Sequence, residues 1–300
     1  MVEIDTIAYN GWDHCIDMRN DYIKLIATTD VGPRIIWFGS SNDDVNMFHQ
    51  WEEQQGLTGS KEWLNYGGHR LWHAPQIGDR PNQPDNEKVL YKIHNDTIEL
   101  FCPEEMATRV RKEILIVMSA DQPTLTVCHR IYNNNPWSIS LASWALSVMH
   151  DSGVVILPIP EDDTHYMPNY MISFWPWTRP NDYRFTLGEK YMLLRHDPNE
   201  HQWFKIGYRN TAGWGAYLFG GYMFVKKYHI IPGAEYPDFG ASFETFADSD
   251  MVELETLSPL KTIDTGEYVE HTEEWRLVSN IKVPESEKEI DDNIVPLCVC

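Results

Sequence analysis

The stretch that decides the fold is Met251-Val252-Glu253-Leu254-Glu255-Thr256-Leu257-Ser258-Pro259-Leu260, followed by Asp264-Thr265-Gly266-Glu267 and His271-Thr272-Glu273-Glu274-Trp275-Arg276-Leu277. It reads as a strand, a Pro turn, a Gly turn and a closing strand, because Pro259 and Gly266 break any helical period. Side chains two apart on a strand share a face, so Glu253 and Glu255 point the same way. A strand that aims a carboxylate into a hollow can supply a general base. The spacing alone does not rank Glu253 against Glu255.

Upstream, the same alternation recurs over residues 22–28, 34–38, 89–94, 97–101, 108–118, 124–132, 138–149, 203–208, 214–219 and 222–228. Asn, Asp, Gly and Pro punctuate the runs, as in Asn133-Asn134-Asn135-Pro136. No long amphipathic helical period is present, and no repeat of fixed length. Many short strands with tight turns predict an all-β, antiparallel sandwich. Residues 1–283 are expected to form a single domain. Residues 284–300, acidic and polar, are expected to be a mobile tail. Residues 50–64, 76–87 and 158–184 read as long loops. The last is dense in aromatics (Tyr166, Tyr170, Phe174, Trp175, Trp177), which argues for a binding role rather than disorder.

The chain has 300 residues and a net charge of −21. That charge weighs against nucleic acid and anionic membrane surfaces, both of which require basic patches. The start, Met1-Val2-Glu3-Ile4-Asp5, lacks an apolar leader, and no apolar run is long enough to span a bilayer. Five cysteines (Cys15, Cys102, Cys128, Cys298, Cys300) are irregularly spaced and odd in number. They predict free thiols and a reducing, cytoplasmic compartment. The closing Cys298-x-Cys300 reads as a loose tail, with a lipid-anchor or metal role as the alternative. Twelve tryptophans exceed what a core needs, since each indole N–H wants a partner. Flat apolar rings in a cleft suit sugars.

Four further constellations carry possible chemistry. Asn65-Tyr66-Gly67-Gly68-His69-Arg70-Leu71-Trp72-His73-Ala74-Pro75 places an Arg, two His and a Trp after a Gly pair. Arg70 can fork onto vicinal hydroxyls or a carboxylate. His69 and His73, four apart, would share a metal only on a helix, and the Gly-Gly and Pro75 boundaries argue against one. The competing reading is a structural turn. His150, in Ser147-Val148-Met149-His150-Asp151, ends a strand and is either structural or an acid–base group. Lys205, in Phe204-Lys205-Ile206-Gly207-Tyr208, is either a surface lysine or a binding cation. Asp238, after Tyr236-Pro237, either binds a hydroxyl or forms a turn. No nucleophile elbow, zincin helix, P-loop or dinucleotide fingerprint is present.

The segments Asp30–Phe48, "NYGGHRLWHAPQ" from Asn65, "FKIGYRNTAGWGAYLFGGYMFVKKY" from Phe204 and "MVELETLSPLKTIDTGEYVEHTEEWRL" from Met251 resemble the galactose mutarotase-like (aldose 1-epimerase-like) superfamily. They look closest to its DUF4380 branch. The resemblance implies a β-supersandwich and a sugar mutarotase or aldose 1-epimerase-like isomerase, with a small sugar as partner and no cofactor or metal. It implies that Glu255, in Leu-Glu-Thr-Leu, is the general base and His150 the general acid. It implies that Arg70 and His73 hold the sugar, that Arg70 and Lys205 position its hydroxyls, and that Trp72 stacks on the ring with Trp175 or Trp177. The Asn-His-x-Tyr-Phe-Asn-Leu pattern of mutarotases is absent. Because the superfamily also hosts other activities, two alternatives stand. One is a non-catalytic carbohydrate-binding protein; the other is a polysaccharide lyase or hydrolase using the same cleft.

Overall fold

The computed structural model describes residues 1–299; Cys300, and with it the Cys298-x-Cys300 reading, lies outside the described residues. Two antiparallel sheets face each other. The first runs β1 (Glu3–Tyr9), β2 (Trp12–Arg19), β3 (Ile23–Thr28), β4 (Arg34–Ser40), β5 (Gly68–Ala74), β10 (Ile139–Met149), β19 (Val252–Leu257), β18 (Phe243–Ala247), β15 (Phe204–Tyr208) and β12 (Ile172–Phe174). A short strand, β20 (Lys261–Ile263), pairs with the start of β10. The second sheet runs β13 (Phe185–Leu187), β14 (Tyr191–Arg195), β11 (Val154–Pro158), β16 (Trp214–Phe219), β17 (Tyr222–Tyr228), β21 (Tyr268–Ser279), β9 (Thr124–Asn133), β8 (Val110–Met118), β7 (Thr97–Phe101) and β6 (Leu90–His94). The all-β sandwich predicted from alternation is the one observed.

The period of two sorts each central strand. Leu71, Leu141, Met149, Val252, Leu254, Phe243, Phe204 and Ile206 point between the sheets, where they meet Ile114, Val127, Phe224 and Trp275 in one apolar core. The alternate positions of the first sheet point outward. The Asn65–Pro75 stretch, readable as a turn, is mostly strand β5. Its Gly67 and Gly68 take positive φ and lie where a Cβ would strike His49 and Ile35 backbone atoms, so the glycines allow close packing at the strand entrance. Alternation also passed over β1, β2, β11, β12, β13, β14 and β18. Strand β1 is a largely exposed edge; β2, β14 and β18 mix polar and apolar residues, and β11 is a short apolar run without alternation. The last segment, read from the sequence as a tail, forms helices at Glu287–Asn293 and Val295–Val299. Ile290, Ile294 and Cys298 recur every four residues and are buried against Ile156, Trp214 and Met223, a helical stripe. No described helix is long and apolar enough to cross a membrane.

A polar chain runs through the middle of the core. His129 Nδ1 lies 3.0 Å from the His271 carbonyl. That oxygen only accepts, so Nδ1 carries the proton and a neutral His129 presents Nε2 as an acceptor. His69 Nε2 sits 2.7 Å away and therefore donates, leaving His69 Nδ1 to accept from Ser147 Oγ at 2.9 Å. His271 Nε2 meets Thr256 Oγ1 at 2.7 Å. Thr256 donates in turn to Glu273, whose other oxygen accepts from Trp275 Nε1 at 2.7 Å. Lys226 Nζ, fully buried, lies 3.0 Å from Glu273. His69, His129 and Glu273 cluster within 4.8 Å. Two nitrogens sharing a tetrahedral zinc would stand about 3.4 Å apart, given ligand bonds of about 2.1 Å, so the His69–His129 spacing is that of a hydrogen bond. The positive charge beside Glu273 is the Lys226 ammonium.

Burial holds His69 well below its ordinary value, lowers His129, and takes His271 down to about 3. A histidine depressed in the folded state is protonated first in the unfolded chain. Its contribution to stability is therefore complete above the unfolded value and is lost as pH falls below it. Each such imidazole costs about 1.4 kcal/mol of stability per pH unit below about 6.5. The expected result is a urea midpoint that falls steeply between pH 6.5 and pH 4. A midpoint flat across that window would contradict neutral buried histidines.

Candidate functional site

The outward face of the first sheet should be apolar or solvated. At its centre it is neither: it is buried and charged. Strand register lines up the groups. Arg70 on β5 stands opposite Leu146 on β10, which stands opposite Glu255 on β19, which stands opposite Glu244 on β18. One step of two residues away, Trp72 faces Trp144, and Val148 faces Glu253. Phe246 links Glu253 to Lys205 on β15. Seven strand positions thus deliver two cations, three carboxylates and two indoles to one patch.

The patch is organised around Lys205. Its Nζ lies 2.8 Å from Glu255 Oε2 and 2.8 Å from Glu244 Oε2, so the two carboxylates stand no further apart than twice that distance. Trp144 Nε1 donates to Glu255 Oε2 at 2.8 Å. Beside this triad, Arg70 donates to Glu253 Oε1 at 2.7 Å and to Asn65 Oδ1 at 2.9 Å. Aromatic faces cover both cations. Trp144 and Trp175 lie 4.6 Å and 4.9 Å from Lys205 Nζ. Trp72 and Trp63 lie 4.6 Å and 5.6 Å from the Arg70 guanidinium. Such contacts stabilise a cation that has lost water. Trp63 and Trp175 come from the two long loops, 50–64 and 158–184, so those loops roof the charged patch.

Burial raises Glu244 well above its ordinary value; the Lys205 charge opposes this and Glu255 adds to it. Of the groups in the patch, Glu244 is thus the carboxyl that burial pushes furthest toward holding a proton. Burial also raises Glu253, against the pull of Arg70. For Lys205, burial works against the charge, but Glu244 and Glu255 outweigh it and raise the ammonium. Lys205 stays charged, which leaves no free amine for a Schiff base. Among the buried polar atoms here with no hydrogen-bond partner are Glu255 Oε1, Glu244 Oε1 and Arg70 Nε. Unpaired buried polar atoms are uncommon and costly, and these three converge on one patch.

Of the residues singled out in the sequence, the structure brings together Glu255, Arg70, Trp72, Lys205 and Trp175. His150 stands apart. It is four residues beyond Leu146, the neighbour of Glu255, or about 13 Å along the strand at about 3.3 Å per residue. Its ring stacks on Phe219 at 4.0 Å and its Nδ1 lies 2.6 Å from Asp151. The Glu255 carboxylate leans the other way, toward Trp144. His73 lies on the opposite face of β5 from Arg70, because odd and even positions part. Trp177 is exposed and meets Trp203 edge-on at 5.8 Å. Asp238 sits in a tight left-handed turn, φ 53°, near the patch rather than in it; Ser173 Oγ donates to its carbonyl at 3.0 Å. Sequence reading passed over Glu244, Trp144 and Trp63. A signal for Glu244 existed in Phe243-Glu244-Thr245-Phe246, where an acid alternates with apolar neighbours.

No family model matches the sequence, and no curated protein matches it. Solved structures do resemble it. A galactose mutarotase-like protein from Lactobacillus casei superposes with a TM-score of 0.57 at 10% identity, over 88% of this chain and 100% of that one. A galactose mutarotase-like protein from Clostridium acetobutylicum gives 0.54 at 12%, over 93% and 98%. A TPR-domain containing protein from Parabacteroides distasonis gives 0.59 at 13%, over 93% of this chain; this chain spans 50% of that one. At such identities the likeness is one of fold, and the fold is the galactose mutarotase-like β-sandwich.

Proposed function

We propose that this chain is a cytoplasmic, DUF4380-type member of the mutarotase-like proteins that binds a pyranose at the Arg70–Lys205 patch and interconverts its anomers. The observation that carries this reading is the placement of Glu255 and Glu244 on either side of one ammonium, as cross-strand partners, with burial raising Glu244 well above its ordinary value. Ring opening needs one group to take the O1 proton and another to protonate the ring oxygen as the C1–O5 bond breaks. Those two oxygens sit on one carbon, so the two groups must sit close together. Glu255 takes the O1 proton. Glu244 gives its proton to the ring oxygen, and the open aldehyde forms. Rotation about C1–C2 and the reverse transfers close the ring on the other face. Lys205, 2.8 Å from both carboxyls, fixes the pair. Its own raised affinity for the proton makes it a poor donor. Arg70 and Glu253 face the remaining hydroxyls, and Trp175 offers a half-buried ring face for stacking. His150, held by Asp151 and Phe219, serves the strand end in this reading.

A sugar reaches the patch by passing the roof of Trp63 and Trp175, since Glu255 is fully buried. That burial favours one second reading, a carbohydrate-binding protein without turnover. Polarimetry on freshly dissolved α-anomers of hexoses and pentoses separates the readings. A mutarotase speeds the decay of optical rotation with catalytic amounts of protein. A binder shows affinity without acceleration, and a lyase gives an unsaturated product absorbing in the ultraviolet. Acceleration by no sugar in the panel would overturn the isomerase reading.

A further inference from the structure

His73 takes no part in the outer patch, and its surroundings are unlike the rest of the molecule. It points between the sheets at the open end of the sandwich. There β5 and the start of β10 part from β8, and a cavity of about 290 Å³ remains. His73 is 7% exposed, and its Nδ1 is buried with no hydrogen-bond partner. Arg80 lines the same cavity. It is exposed and, among the described residues, its guanidinium makes no ion pair and no hydrogen bond.

The chain carries 45 acidic against 24 basic residues, yet no Asp or Glu lines this cavity. The remaining polar groups are Gln83, Thr108, Asn135, Ser140 and the exposed indole of Trp137. Ile77, Ile139 and Leu141 form apolar walls. An apolar pocket of this size with a few convergent polar groups is the usual form of a small-ligand site. A free guanidinium with its fork of donors matches a carboxylate. Burial, with Lys112 and Arg80 nearby, holds His73 down to about 3. The imidazole is therefore neutral at pH 7 and keeps one N–H to donate.

We propose that this end cavity is a second binding site, for a small organic carboxylate with an apolar body: its carboxylate on Arg80, its body between Trp137 and the aliphatic walls, and the His73 imidazole as a further hydrogen-bond partner. The site is separate from the outer patch, because His73 and Arg70 occupy opposite faces of β5. It does not depend on the proposed sugar chemistry.

Calorimetric titration of the full chain with benzoate and with its neutral isostere benzamide tests this. Benzoate should bind saturably and at least about tenfold more tightly than benzamide, the margin a charge-assisted bidentate contact gives. Arg80→Gln, at an exposed position that leaves the fold intact, should erase that preference. Trp137→Ala should weaken both compounds. Glu255→Gln should leave benzoate binding unchanged, which distinguishes this cavity from the outer patch. Equal binding of the two compounds would overturn the proposal. So would benzoate binding insensitive to Arg80→Gln, or no saturable binding of benzoate, hexanoate or glucuronate.

Discussion

Glu255→Gln should slow anomer interconversion by about 10²–10⁴-fold, the range a positioned acid–base group contributes, while changing sugar affinity by less than about tenfold. The amide keeps the size and one oxygen of the carboxylate, so it can still accept from Trp144 Nε1. It cannot take the O1 proton. Glu244→Gln should give a similar loss for the complementary reason, since the amide has no acidic proton to give. The pH dependence separates the two roles. Burial raises Glu244 well above its ordinary value, so the wild-type rate should fall with rising pH only once that raised value is passed. Polarimetry over about pH 5–10 checks this. A Glu255→Gln variant that retains more than about a tenth of the rate would remove Glu255 from the chemistry.

Lys226→Met should cost about 3–5 kcal/mol of stability, the penalty for stranding a buried charge. Lys226 and Glu273 are both fully buried and 3.0 Å apart. Lys226 also donates to the Leu254 carbonyl at 3.1 Å. With the ammonium gone, Glu273 keeps only Thr256 and Trp275 as donors. Burial works against its charge, and Lys226, with His129 and His271 nearby, now holds it below its ordinary value; removing the cation reverses that balance. The double variant Lys226→Met/Glu273→Gln should recover most of the loss, because no charge is then left without a partner. Urea unfolding of the two variants and the wild type measures both effects. A single variant within about 1 kcal/mol of wild type would mean that the core pair is not a paired charge.

Alternation made the sandwich legible, because a strand's face is a local property of the chain. It placed Glu253 and Glu255 on one side, and the same rule, applied to residues 68–74, separates Arg70 and Trp72 from His69 and His73. The composition of the patch is not local. Lys205 meets Glu255 only because β15, β18 and β19 are neighbours in the sheet, an order that skips far along the sequence. Glu244 is invisible as an acid–base group until its strand is seen beside β19 and its burial is known. The His150 assignment drew on resemblance; the distance from Glu255 is a matter of register along β10, which a motif does not carry. The helical stripe Ile290, Ile294, Cys298 was readable at its four-residue spacing, but the acidic residues between them mask it in composition.

The most direct test of the central claim is a crystal structure of Glu255→Gln with a bound aldose. The account predicts the anomeric carbon within hydrogen-bonding reach, about 3 Å from O1 to Gln at 255 and from the ring oxygen to Glu244, with Arg70 on the distal hydroxyls. A sugar seated instead beside His150 and His49, out of reach of Glu244, would contradict it.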